Sequence, residues 1–345
     1  MSVPVQEARA GTRVKVAAVW QVTKRWLERH RRVVAVVGSL LAAGVMVLIL
    51  NGHRDDFSTA LSRASVPVLL LAALLQVVAL VSRTEAWHRT IEAAGGRLAR
   101  RPLYRASSMG YVGSLLNAQL GTAARITALR RSSPADAPPV PTLMAAELPI
   151  LAVEAGLAAA TSVTLIGPLG LPWWCPIIFV GLIGGLTYML RRLSIKAARP
   201  LWAGLAVLHR LRDGRRLFGL VLIAVFAQIA RNWLLLHAVG VNASIFDSIA
   251  VLIAMVAIGQ LPVGPSVGAG ATVLILGSGG VAAAAAAGVL ATATGLVGGL
   301  SFAAWAMADR LWDRRRTRRT PAAPAPKPQA QQPQPQPHPA LAANR

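Results

Sequence analysis

Ile258-Gly-Gln-Leu-Pro-Val-Gly-Pro-Ser-Val-Gly-Ala-Gly-Ala-Thr272 interrupts an otherwise oily sequence. Pro262 and Pro265 remove amide donors, and Gly264, Gly268 and Gly270 permit backbone shapes that other residues resist. Lipid cannot satisfy a freed amide or carbonyl. Broken backbone at membrane depth therefore survives only when it is buried in protein or lines a wet cavity. The stretch reads as one wall of a polar path through a membrane protein.

Composition supports that reading. The 345 residues are 54% hydrophobic and only 14% charged, with a mean hydropathy of +0.53. Soluble chains of this length are rarely so apolar. The formal net charge of +23 would by itself suggest nucleic acid. Its distribution argues otherwise, because the basic residues cluster between apolar runs, before 33 and in 83–131, 191–216 and 310–319. That is the positive-inside pattern, and the same clusters would attract anionic lipid on the cytoplasmic leaflet. The one cysteine, Cys175, allows no intrachain disulfide.

Residues 1–32 are a basic cytoplasmic segment, read either as a helix on the inner membrane surface or as a solvated leader. No small-residue cleavage site follows the first apolar run, so no removable signal is expected. Residues 33–312 form the membrane domain, and 313–345 a basic, then Pro/Gln-rich, disordered cytoplasmic tail. Spans are expected at 33–50, 66–82, 142–166, 172–190, 217–239 and 281–307. The first covers about 27 Å as a helix, close to a hydrocarbon core. Residues 109–128 are too polar for a lipid-facing span and fit a hairpin dipping in from the cytoplasm. Charge parity then requires an odd number of crossings between 247 and 309: either 248–278 enters and leaves on the outer side, bent at the broken stretch, or three separate, short spans lie there.

The expected fold is an all-α polytopic membrane protein of about six spans and two re-entrant hairpins. Each hairpin lies between two spans, and the two units run in opposite orientations. Inverted repeats with broken helices meeting near the midplane are an architecture of secondary transporters.

Glu147 and Glu154 are the acids inside expected spans, and their spacing of seven places them on one helical face. Arg231 is the base well inside a full span. Glu154 and Arg231 come to similar depth, so a midplane pair is expected, acting either as a gate or as a structural tie. Arg125 closes the first hairpin and could hold a phosphate, or could be one more interfacial arginine. Asn117, Gln119, Gln228 and Gln260, with Pro262, Gly264 and Gly268, complete the expected path; the amides could instead cap broken backbone.

Gly264-Pro-Ser-Val-Gly268 matches G-x-S-x-G, but no strand–turn–helix setting is expected around it. After Ser266 the only histidine is His338, so a general base is poorly placed. The six histidines show no H-E-x-x-H, and no P-loop is present. No metal, cofactor or enzymatic activity is expected.

Leu116-Asn-Ala-Gln-Leu-Gly-Thr-Ala-Ala-Arg125, Ala145-Ala-Glu147, Ala238-Val-Gly240 with Ser244, and Leu261-Pro-Val-Gly-Pro265 with Gly268 carry a resemblance. In order and spacing the chain resembles the lysylphosphatidylglycerol synthase transmembrane-region, or flippase-like, membrane proteins, over residues 66–307. It departs from the family pattern in lacking a proline at Ala118-Gln119-Leu120, in having Ala271 and Thr272 where a glutamate commonly stands, and in having Leu148 after Glu147. The resemblance implies movement of a charged or glycosylated lipid headgroup across the membrane. Anionic or polyprenyl-phosphate lipid is then the expected partner, with Arg125 and Arg231 offsetting phosphate charge. A homo-oligomer or a separate enzyme is a further expected partner, and nucleic acid is not. The rival reading is an accessory scaffold for a separate lipid-modifying enzyme or glycosyltransferase; an intramembrane serine hydrolase ranks below both. The expected location is the cell membrane, with both termini cytoplasmic.

Overall fold

A computed structural model describes residues 44, 51–94, 96, 98–115, 118–133, 137–196, 211–259, 267–277 and 280–319. The described residues form helices and no strands. The expected first span, the N-terminal segment and the Pro/Gln tail lie outside them, apart from Gly44.

Helix α1 (Arg54–Ser62) precedes α2 (Val66–Ala93). Pro67 stands in the first turn of α2, where a missing amide costs nothing. The helix runs on past the expected end at 82 into the basic segment. No proline or glycine interrupts 83–93, so the helix continues through the charged turns, and one side of them is buried at Trp87 and Ile91. Helices α3 (Arg100–Ser114) and α4 (Ala118–Ser132) pack along each other as a hairpin. Glycine makes their close approach possible. A side chain at Gly121 would meet Ser114 Cβ at 2.7 Å, and one at Gly110 would meet Arg125 Cβ at 2.8 Å.

The expected span at 142–166 is not one smooth helix. It comprises α5 (Val140–Ala145), α6 (Leu148–Thr161), a 3-10 turn (Ser162–Leu165) and α7 (Ile166–Leu169). Pro149 explains the first break, because its ring cannot donate to the preceding turn. Helix α8 (Cys175–Lys196) exposes Ile177, Ile178, Val180, Leu182 and Leu186, a face suited to lipid.

Helix α9 (Leu211–Ala238) packs along α2 and ends at Gly240, whose φ of +85° lies in the left-handed region. A capping box opens α10 (Ile245–Ile258): the Asp247 amide donates to Ser244 Oγ at 3.2 Å, and the Ser244 amide to Asp247 Oδ2 at 2.8 Å. Helix α11 (Val267–Leu276) returns against α10, and α12 (Val281–Arg319) closes the described chain. The core of the break, 260–266, lies outside the described residues. Gly268 and Gly270 do not belong to the broken backbone; both are helical in α11. Gly268 serves packing instead, since a side chain there would meet the Gly288 carbonyl of α12 at 2.7 Å. Small residues at such crossings let backbones approach where lipid provides no hydrophobic drive.

Four helical stretches are long and apolar enough to cross a membrane, at Val66–Ala93, Val140–Leu169, Gly214–Ala238 and Val281–Asp313. Cys175–Met189, Ile245–Ile258 and Val267–Leu276 are shorter apolar helices. One buried cluster joins Trp87, Ile91, Leu103, Leu129, Leu143, Ile150 and Leu217. A second joins Ala72, Leu235, Leu236, Ala286 and Leu290, and a third ties α10 to α11 through Val251, Ala271 and Ile275. Residues from Met307 onward form a separate contact unit; their described part is the basic end of α12, helical to Arg319 where a tail was expected from 313.

Candidate functional site: two buried arginines

The kink at Pro149 leaves Glu147 between α5 and α6, flanked in sequence by Ala146 and Ile150 of the first buried cluster. Glu147 is 8% exposed and forms an ion pair with Arg125 of α4, through Oε1 and Nη2. The Arg125 guanidinium carbon also lies 4.0 Å from the ring centroid of buried Trp87, on α2. The cation thus has a carboxylate and an aromatic face, both shielded from solvent, where the cation–π contact is stronger than at a surface and loss of either ionic partner would strand a buried charge. One turn pair further along α6, Glu154 accepts a hydrogen bond from Arg83 of α2 at 3.1 Å. This pair is more open to solvent than the first.

Glu154 therefore does not meet Arg231. Glu147 stands in the break before α6, so the spacing of seven no longer fixes a common face: Glu147 meets Arg125 of α4 and Glu154 meets Arg83 of α2. Arg231 lies on α9 and points elsewhere. Its Nη2 donates to the Ala291 carbonyl of α12 at 2.8 Å, and its Nη1 donates to Gln76 Oε1 on α2. Gln228 Nε2 donates to the same Gln76 oxygen at 2.9 Å. Gln76 and Arg231 are buried. Beside them the Tyr111 hydroxyl of α3 donates to the Gly295 carbonyl of α12 at 2.6 Å. The first hairpin and the last helix are thereby joined next to a buried cation. Neighbouring Asn232 donates through Nδ2 to Met255 Sδ at 3.8 Å, and its Oδ1 has no acceptor role among the described residues.

The expected path residues thus divide. Arg125 joins Glu147, Gln228 joins Arg231, and Glu154 faces Arg83. Gly268 sits at a helix crossing. Gln119 lies in α4, with its side chain outside the description, while Asn117, Gln260, Pro262, Gly264 and Ser266 lie outside the described residues altogether. Gln76, Trp87, Arg83 and Tyr111 were not singled out from sequence. Gln76 carried a signal, as the one amide in the apolar run 66–82. Arg83 and Trp87 carried none, because both fall in a segment read as a cytoplasmic loop.

A family model described as the lysylphosphatidylglycerol synthase transmembrane region matches residues 20–308. The chain belongs to that family. Membership in the lysylphosphatidylglycerol synthase transmembrane-region family and the apolar helices together make this an integral membrane protein. The match takes in both arginine clusters and both helix pairs. No curated protein matches the chain.

Proposed function

We propose that this protein moves a charged or glycosylated lipid headgroup across the cell membrane while the lipid tails stay in the bilayer. The observation that carries this reading is Arg125, held by Glu147 and Trp87 at the junction of α2, α4 and the kinked α5–α6 segment. A buried, paired guanidinium can exchange one anion for another without ever being left bare. A phosphate arriving at Arg125 would take the place of the carboxylate, and Glu147 would return when the lipid departs.

In this reading α3–α4 and α10–α11 are re-entrant hairpins from opposite leaflets, both termini are cytoplasmic, and the protein transports rather than catalyses. An anionic or polyprenyl-phosphate lipid fits two arginines and a nearby amide pair. The test is translocation of a headgroup-labelled anionic lipid in vesicles containing only the purified protein. Wild type should flip it, and Arg125→Ala should abolish flipping. Normal flipping by that variant removes Arg125 from the mechanism. No flipping by wild type, with stable co-purification of a lipid-modifying enzyme, would favour a scaffold.

A further inference from the structure

Helix α8 is apolar from Cys175 to Met189 and packs chiefly against α6 and the 3-10 turn. Its residues from Ile177 to Met189 are exposed, apart from the half-buried Ile183. The two helices do not close on each other. Between them runs a groove of about 440 Å3, lined by Gly156 and Ala160 of α6 and by Val180, Gly184, Thr187 and Tyr188 of α8. Glycine keeps it open, since a Cβ at Gly156 or at Gly184 would meet no atom within 4 Å. The shape of the groove narrows the choice of occupant. From Val180 to Tyr188 it follows about 12 Å of helix, which at that volume gives a cross-section of roughly 37 Å2. A helix with its side chains is about 10–12 Å across, roughly 80 Å2 or more in section, and is too wide. A single hydrocarbon chain is not. The wall is aliphatic until its last turn, where Thr187 and Tyr188 bring hydroxyls, and one turn further along α8 Arg192 is exposed.

We propose that this groove holds one acyl chain of a resident glycerophospholipid with an anionic headgroup. Apolar wall, hydroxyls and then a cation follow the order in which such a lipid presents its chain, its ester oxygens and its headgroup. The chain lies along Val180 and Gly184, the ester oxygens accept from Thr187 and Tyr188, and the headgroup meets Arg192, whose charge favours an anion over a zwitterion. The lipid is a packing element rather than cargo. It fills the seam that leaves α8 loosely held, and it shares no residue with the clusters around Arg125 and Arg231. The assignment therefore does not rest on the translocation reading.

The experiment reconstitutes the full-length protein with equal amounts of phosphatidylglycerol and phosphatidylcholine. Native mass spectrometry after detergent extraction then reads the lipid that stays bound. Wild type should keep one lipid, with phosphatidylglycerol favoured several-fold. Gly156→Leu and Gly184→Leu put a side chain into the groove, and each should cut retention several-fold. Gly181→Leu makes the same change on α8, at a glycine that is equally open but does not line the groove, and should retain lipid as wild type does. Arg192→Gln should keep a lipid and lose the preference for phosphatidylglycerol. A wild type that retains none overturns the proposal, and so do groove variants that retain as much as Gly181→Leu. A dimer that Gly184→Leu dissociates also overturns it, because a second copy then covers this face. A preference that survives Arg192→Gln overturns the headgroup assignment. Should neither groove variant fold, Arg192→Gln, a change at an exposed side chain, decides.

Discussion

At the scale of residues, burial separates two ion pairs of the same chemistry. Arg125 and Glu147 are shielded, so removing one partner strands the other charge, at a cost of about 3–5 kcal/mol. Glu147→Ala should therefore lower the unfolding midpoint in detergent strongly, and the double variant Arg125→Met/Glu147→Leu should recover much of the loss. Arg83→Ala breaks a more open pair and should cost roughly 1 kcal/mol or less. A double-mutant cycle on each pair measures the contrast; equal coupling energies would contradict it. Tyr111→Phe removes one hydroxyl donor and should cost about 1 kcal/mol in the same assay.

Among the helices, glycine placement decides which surfaces can touch. A side chain at Gly288 would strike the Ala269 backbone, and one at Gly299 would strike the Tyr111 ring. Backbone cannot yield as a side-chain tip can, so Gly288→Ala should force α11 from α12 and cost about 1–3 kcal/mol. Gly270→Ala, with open space around it, should be near neutral in a thermal melt. These contacts also show where sequence reasoning reached and where it stopped. The presence of two helix pairs was legible, because apolar runs broken by glycine and polar residues at 109–128 and 248–278 left few alternatives, but the first pair runs from 100 to 132 and takes in residues read as cytoplasmic loop. The role of Gly268 was not, since glycine permits both a bend and a close crossing, and only the partner at Gly288 tells them apart. The partner of Glu154 was likewise hidden. Depth along a helix can be counted in a sequence, but facing direction depends on rotation about the axis, and Pro149 sits just where that rotation is reset.

For the molecule as a whole, the proposed topology rests on where the arginines fall. In a Cys175→Ser background, thiols introduced at Gly167 and Asn242 should react with an impermeant reagent added outside cells. Thiols at Arg101 and Ser133 should react only after the membrane is opened. The reverse pattern would overturn the orientation and the opposed hairpins with it. The bond from Tyr111 to Gly295 sets a mechanical condition on any such arrangement. It fastens a segment of the first half to the final helix, so swinging that segment away strips the Gly295 carbonyl of a donor from outside its own helix. Cargo able to offer the Gly295 oxygen a replacement hydroxyl would spare the protein that loss, and in this way the latch would open more readily for hydroxylated cargo than for an empty carrier.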